Sequence, residues 1–255
     1  MTKKTLLFSD VHLKAIAEDK GRHQEFIDFL HRFSPDEFDT FICLGDLFDF
    51  WFEYGNVIFS DFFDVLRAFA DIRDKGVELH LICGNHDFWA GRFLRDELGF
   101  HIHPDIMEHQ FGSLRGHLVH GDGINPEDRR YRAYKKFARN PFVVSAFRCI
   151  HPDWAMAIAR GVSHGSRTFL GTDDPANGPE AQSLRRYATK VLAEGAADVV
   201  VCGHAHAPVL EQLPTPTGEG HYINTGDWLV HRSHTIWDGE TFTQYIEGPG
   251  ISPKG

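Results

Sequence analysis

Thr40-Phe41-Ile42-Cys43-Leu44-Gly45-Asp46 is an apolar run that stops on a glycine and a carboxylate, and the same pattern recurs along the chain. Residues 5–9 lead into Asp10-Val11-His12, and 77–83 into Gly84-Asn85-His86-Asp87. Residues 116–120 close on His120-Gly121-Asp122, and 198–202 lead into Gly203-His204-Ala205-His206. Short apolar runs bounded by turn residues read as buried strands. Helical patterns separate the first three. Phe26, Phe29, Leu30 and Phe33 share one face of 23–33, and Phe62, Val65, Leu66 and Phe69 one face of 61–74. Crossovers of this kind build a parallel sheet. Functional loops of open α/β sheets lie at the carboxyl ends of the strands, so the five motifs are expected to converge on one edge.

Outward from this frame the texture changes. Residues 125–194 read as helices: a basic one at 126–139, amphipathic ones at 142–150 and 154–162, and a polar Gly/Pro/Asp stretch at 171–179. We read them as a helical cap inserted into a catalytic domain made of 1–124 and 195–247. Short β runs at 209–213, 221–224, 234–237 and 242–246 follow, separated by Gly and Pro turns. They suggest a second, largely antiparallel sheet packed on the first, and 248–255 a flexible tail. With 255 residues and 42% apolar content, the chain can bury the core such a domain needs.

The N-terminus enters its first apolar run at once, and that run is too short for a signal peptide or a membrane span, so a cytoplasmic location is expected. Cys43, Cys83, Cys149 and Cys202 are far apart, and three lie in apolar runs just before motif residues, where a buried thiol is the ordinary reading; no disulfide and no zinc-thiolate site is expected. A net charge of −10 argues against general binding to nucleic acid. The exception is a basic cluster, Arg129, Arg130, Arg132, Lys135, Lys136, Arg139 and Arg148, suited to a diphosphate or to anionic lipid head groups. Together with the apolar cap helices, it fits peripheral association with the cytoplasmic face of a membrane. Ordinary burial of the helices against the catalytic domain and a solvated basic face are the structural alternatives.

Each motif alone has an ordinary explanation, as a capped turn or a hydrogen-bonded histidine. Five in strand-end context do not share one. Asp10 and His12, two apart on a pleated strand, would point the same way and could share an ion. Asp46 can bridge two cations through its two oxygens. Asn85 offers an amide oxygen, His120, His204 and His206 imidazoles, and Asp87 a carboxylate suited to orienting its neighbours. Such ligation without thiolate suits Mn, Fe, Zn or Co. Two such ions provide a bridging hydroxide for in-line attack and clamp phosphoryl oxygens, which implies phosphoester or phosphoanhydride hydrolysis.

The series resembles the calcineurin-like metallophosphoesterase superfamily, with its pattern D-x-H, G-D, G-N-H-[DE], a later H, and G-H-x-H. The resemblance implies a four-layer αββα sandwich, a mixed sheet plus a second sheet, and two divalent ions. Asp10, His12, Asp46 and His206 would hold one ion, and Asp46, Asn85, His120 and His204 the other. His86 would be catalytic, facing the substrate and giving a proton or hydrogen bond.

Leu44-Gly45-Asp46-Leu47-Phe48-Asp49-Phe50-Trp51, Gly84-Asn85-His86-Asp87-Phe88, and His120-Gly121-Asp122 followed by Asp128 and Tyr131 are similar to the UDP-2,3-diacylglucosamine pyrophosphatase family of lipid A biosynthesis. That resemblance implies release of UMP and a lipid 1-phosphate, usually with manganese, at the membrane surface, under a cap that receives acyl chains. Asp128, Tyr131, Arg139, Ser163 and Arg167 are the candidate substrate contacts, with Ser166 a further counterpart. One position departs: the lipid A enzymes usually carry G-N-R-D, and this chain has His86. An imidazole can transfer a proton where a guanidinium cannot. A calcineurin-like phosphomonoesterase or phosphodiesterase is therefore the alternative enzyme, and a metal-binding interaction scaffold the alternative without catalysis.

Overall fold

The computed structural model describes residues 3–157 and 178–248. Its first half alternates as the apolar runs require: β1 (Lys4–Phe8), α1 (Lys20–His31), β2 (Phe38–Cys43), α2 (Phe63–Asp74), β3 (Glu78–Ile82) and β4 (Phe100–His103). The β1, β2, β3 and β4 strands are parallel neighbours in that order. After them come β5 (Ile106–Phe111), β6 (Leu114–Val119), β7 (Val199–Cys202), β8 (Val209–Thr215), β9 (Gly218–Asn224), β10 (Ser233–Trp237) and β11 (Phe242–Ile246). The two sheets run β11-β10-β1-β2-β3-β4 and β5-β6-β7-β9-β8.

Both sheets are mixed, which corrects one detail of the expected sandwich. In the second sheet β6–β7 and β7–β9 are parallel, while β5–β6 and β8–β9 are antiparallel. Two of the late strands, β10 and β11, return to the first sheet and extend it antiparallel beyond β1. Short runs between turns announce strands, but they do not say which edge a strand joins. Strand β4, absent from the expected elements, is too short and too rich in histidine to stand out.

Strand pleating sorts the side chains into layers. Leu6, Phe8, Phe41, Cys43, Leu79 and Leu81 face α1 and α2 with Phe26, Phe29, Val65 and Phe69. Their neighbours Leu7, Ile42 and Ile82 face the other way and meet Phe111, Leu118, Val199, Val201 and Ile223 between the sheets. On the far side Val200, Cys202 and Tyr222 pack against Leu184, Ala188 and Leu192. Those three residues belong to α5 (Pro179–Ala193), so the layers run helix, sheet, sheet, helix.

The sequence placed that helix within the 125–194 cap, but its apolar face covers the second sheet. Helical periodicity marks a buried face without saying what buries it. Within the same segment α3 (Arg129–Ala138) and α4 (Pro141–Phe147) follow β6, and residues 152–157 are again helical. Most of the expected helix 154–162 and most of the polar stretch 171–179 lie outside the described residues, as does 249–255.

Candidate metal centre

The loops after β1 and β2 continue the pairing of their strands. Asp10 N donates to Gly45 O at 3.0 Å, His12 N to Asp46 O at 2.9 Å and Leu13 N to Leu47 O at 3.1 Å. Across the sandwich, Gly203 N donates to His120 O at 2.9 Å. The strand ends of both sheets thus meet at one place, and all seven expected ligands come with them.

The backbone there is unusual. Asp10 (φ 53°), His12 (φ 49°), Asp46 (φ 53°), His204 (φ 65°) and His206 (φ 54°) adopt the left-handed conformation, which non-glycine residues seldom do. Among the described residues only Arg232 joins them outside glycine. This corrects the reason given for the first pair. Strand β1 ends at Phe8, so Asp10 and His12 are brought together by successive left-handed turns and not by strand pleating.

Three ligand atoms gather on one side. His206 Nε2 lies 3.2 Å from Asp10 Oδ1 and 3.3 Å from His12 Nε2, and His12 Nε2 lies 3.7 Å from Asp10 Oδ1. On the other side His120 Nε2 lies 3.2 Å from Asn85 Oδ1 and 3.4 Å from Asp46 Oδ2. His204 joins Asp46 and His120 in a set of potential ligand atoms that all lie within 4.8 Å of one another. The same Asp46 Oδ2 is 3.7 Å from His12 Nε2, placing this carboxylate between the two sets as a bridge requires. A third set joins His86 to His12 and Asp46.

Each carboxylate is held by one oxygen and presents the other. Asp10 Oδ2 accepts from His204 N at 2.9 Å and from Ser9 Oγ, while its Oδ1 is buried with no hydrogen-bond partner. Asp46 Oδ1 accepts from His86 N at 2.8 Å, leaving Oδ2 toward the imidazoles. His120 is oriented in the same manner. Its Nδ1 donates to Leu44 O at 2.7 Å, so in the neutral ring Nε2 bears a lone pair aimed at two oxygen acceptors. Lone pairs converging on one point, with a buried carboxylate oxygen left unpartnered, fit a cation.

The charges say the same. Burial disfavours ionisation of Asp10, but His206 and His12 overcome it and hold the carboxyl well below the ordinary range. For Asp46 the same cost is overcome chiefly by His120 and His86. Burial lowers His120 in turn, yet Asp46 outweighs it and drives the imidazole up to about 10. His204, buried beside His120, is pushed down to about 4. Two buried carboxylates therefore call for positive charge where only imidazoles surround them.

Supporting groups fix the loops. Asp87, fully buried, accepts from Gly84 N at 2.7 Å and Leu47 N at 2.8 Å, tying the 84–87 turn to the loop of Asp46. Gly84 has no room for a side chain, because a Cβ would lie 2.1 Å from Asp46 Oδ1. His86 Nδ1 donates to Asp49 O at 2.7 Å, which leaves Nε2 of the neutral ring as an acceptor.

One support was missed in the sequence. Asn224-Thr225-Gly226-Asp227 ends β9, and Asn224 Nδ2 donates to Gly203 O at 2.8 Å while Thr225 Oγ1 and Ser9 Oγ share a 2.7 Å hydrogen bond. The signal was present, since a Gly-Asp pair closes this apolar run as it closes the run before Asp46.

The candidate substrate contacts among the described residues have partners of their own. Asp128 caps α3 by accepting from Tyr131 N at 2.9 Å. Tyr131 donates its hydroxyl to Asp122 Oδ2 at 2.7 Å, and Lys135 pairs with the same oxygen at 2.9 Å. Arg139 reaches Asp105 Oδ1 at 2.6 Å and Pro104 O at 3.0 Å. These contacts fasten α3 to the loops after β6 and β4. Ser163, Ser166 and Arg167 lie outside the described residues.

The pattern of the family described as calcineurin-like phosphoesterase matches residues 3–208. The chain is similar to the UDP-2,3-diacylglucosamine hydrolase of Porphyromonas gingivalis, at 31% identity over 94% of this chain and 96% of that protein. The enzyme of the same name from Serratia proteamaculans is 26% identical over 90% of this chain and 92% of its own length. Among solved structures, wild-type Vps29 of Entamoeba histolytica with zinc is 15% identical, with 97% of this chain and 94% of that one covered and a TM-score of 0.43.

Proposed function

The chain belongs to the calcineurin-like phosphoesterase family, and we propose that this hydrolase cleaves the diphosphate of a nucleotide-lipid such as UDP-2,3-diacylglucosamine, giving UMP and a lipid 1-phosphate. The observation that carries the reading is the pair of ligand sets sharing Asp46, together with relatives of that printed activity matched over nearly the whole chain. Asp10, His12, Asp46 and His206 would hold one divalent ion, and Asp46, Asn85, His120 and His204 the other, manganese being the first choice and Fe, Zn or Co the others. Two ions held there would supply Lewis acidity to activate water and offset phosphoryl charge. The protein's own part is to fix their spacing through Asp46 and to set His86, by its bond to Asp49 O, to exchange a proton or hydrogen bond with a substrate oxygen.

A lipid substrate also has support away from the ions. An open groove of about 730 Å³ lies between the 52–58 loop, residues 89–93 and α4, lined by Phe52, Tyr54, Val57, Trp89 and Val144, with Arg92 and Arg148 among its polar groups. On the cap Arg129, Arg130, Arg132 and Lys136 are exposed, as are Phe137 (63%), Phe142 (86%) and Trp154 (70%). Basic and aromatic groups exposed together suit the surface of an anionic membrane. No helix among the described residues is long and apolar enough to cross one. We take residues 125–157 as the described part of the cap.

His86 favours a second reading, hydrolysis of a different phosphomonoester or phosphodiester by the same centre. The experiment that separates the two offers the manganese-loaded protein UDP-2,3-diacylglucosamine in detergent micelles and, separately, a small aryl phosphate. UMP release is expected, falling about 10²-fold or more in His86→Ala with metal content unchanged. Turnover of the aryl phosphate alone would select the second reading.

A further inference from the structure

Of the 17 histidines, five stand in the metal-centre sets, and four of the others gather elsewhere: His80 of β3, His101 and His103 of β4, and His109 of β5. Strand pleating explains the gathering. Leu79 and Leu81 of β3, and Phe100 and Ile102 of β4, pack on the helix side of the first sheet. Their neighbours His80, His101 and His103 therefore face the second sheet, where His109 sits between the buried Met107 and Phe111. Imidazoles here occupy the rim of the inter-sheet layer, a position that apolar side chains fill elsewhere.

Within the cluster two nitrogens come together: His80 Nδ1 and His103 Nε2 are 3.2 Å apart. A tetrahedral zinc ion with bonds of about 2.0–2.1 Å holds its ligand nitrogens about 3.3–3.4 Å from one another. The other nitrogen of His80, Nε2, lies 3.7 Å from Glu78 Oε2. That separation is beyond direct hydrogen-bond reach, so the carboxylate acts on the ring by its charge alone, which favours a proton on Nε2 over one on Nδ1. His101 stacks on His80 with ring centres 4.8 Å apart, and His109 approaches from the other sheet at 6.5 Å.

We propose that His80 Nδ1 and His103 Nε2 form a further cation site, outside the phosphoesterase centre, for a divalent transition metal of the zinc class. Ligands that are imidazoles alone select zinc, copper or nickel over magnesium, calcium or manganese. The lone pairs are available near neutral pH. Burial, reinforced by the surrounding imidazoles, pushes His80 down to about 3, and burial lowers His103 and His109 as well. A bound ion ties β3 to the edge strand β4 at the rim of the sandwich and leaves coordination positions open to water.

The test compares zinc bound per chain, by elemental analysis after equilibrium dialysis against zinc(II), in the wild type and in His80→Ala/His103→Ala. The variant is expected to hold one zinc fewer while the manganese-loaded enzyme turns over, at an unchanged rate, whichever of the two substrates above the wild type cleaves. Equal zinc content would overturn the site and would mean that the two rings merely share a hydrogen bond. Crystals of the wild type soaked in zinc give a second measurement that does not depend on the variant folding. An anomalous peak between the two nitrogens is expected, and its absence rejects the proposal.

Discussion

Asp19 touches no proposed ligand and still reaches the centre through one side chain. Its carboxylate accepts from Arg22 Nε at 3.0 Å, Arg22 Nη2 at 2.7 Å and Lys14 N at 2.8 Å. Arg22 in turn donates to Val11 O at 3.1 Å and to His12 O, strapping the turn that holds His12 in its left-handed conformation. Burial raises the carboxyl of Asp19, but His23 and Arg22 more than offset it, so the group ionises below its ordinary value. A depressed folded value means that the stabilisation is present above the unfolded pKa of about 3.9 and is lost as pH falls from there. Asp19→Asn is expected to lose about 2 kcal/mol in urea unfolding near neutral pH, with the difference closing in acid. A difference that persists unchanged in acid would show that the carboxylate charge is not what matters. At this scale the residues that gather into sets of potential ligand atoms were legible because chemistry restricts such groups to a few residue types. Asp19 and Arg22 were not, since nothing in a pair of charges three apart distinguishes a strap from a solvated helix face.

For the elements, legibility followed the strength of the period. The first three strands and the helices α1 and α2 were expected within a few residues of where they lie, because each carries an unbroken apolar pattern against polar flanks. Sheet membership and the boundary of the cap were not legible, since both depend on contacts between segments far apart in the chain. Helix α5 is the test of that boundary. Leu184 is fully buried against the second sheet, whereas Phe142 of α4 is 86% exposed. Leu184→Ala should therefore cost about 2–5 kcal/mol in a denaturant titration, and Phe142→Ser about 0.5 kcal/mol or less. Similar losses from both would mean that α5 is no more a layer of the sandwich than α4.

Taken as a whole, the molecule carries its centre on the seam between two sheets. Asp10, His12, Asp46 and Asn85 follow strands of the first sheet, whereas His120, His204 and His206 follow strands of the second. Ions bound there would fasten one sheet to the other as well as serving hydrolysis, which would link metal binding to folding. An ion present at about 100 times its dissociation constant adds about 2.7 kcal/mol to the folded state. Chelation should therefore abolish hydrolysis and lower the melting temperature together, with both restored by added manganese; an unchanged melting temperature would show that the seam holds without the ions. The left-handed turns bear on the same balance from the opposite side. A non-glycine residue in that conformation is disfavoured by roughly 1–2 kcal/mol, and five of the seven proposed ligands adopt it. Glycine at those five positions would suit the backbone better and leave only Asn85 and His120 of the seven. Fold stability alone gives no reason for these side chains at these turns, so the strain they impose is accounted for by what they would hold and not by the fold.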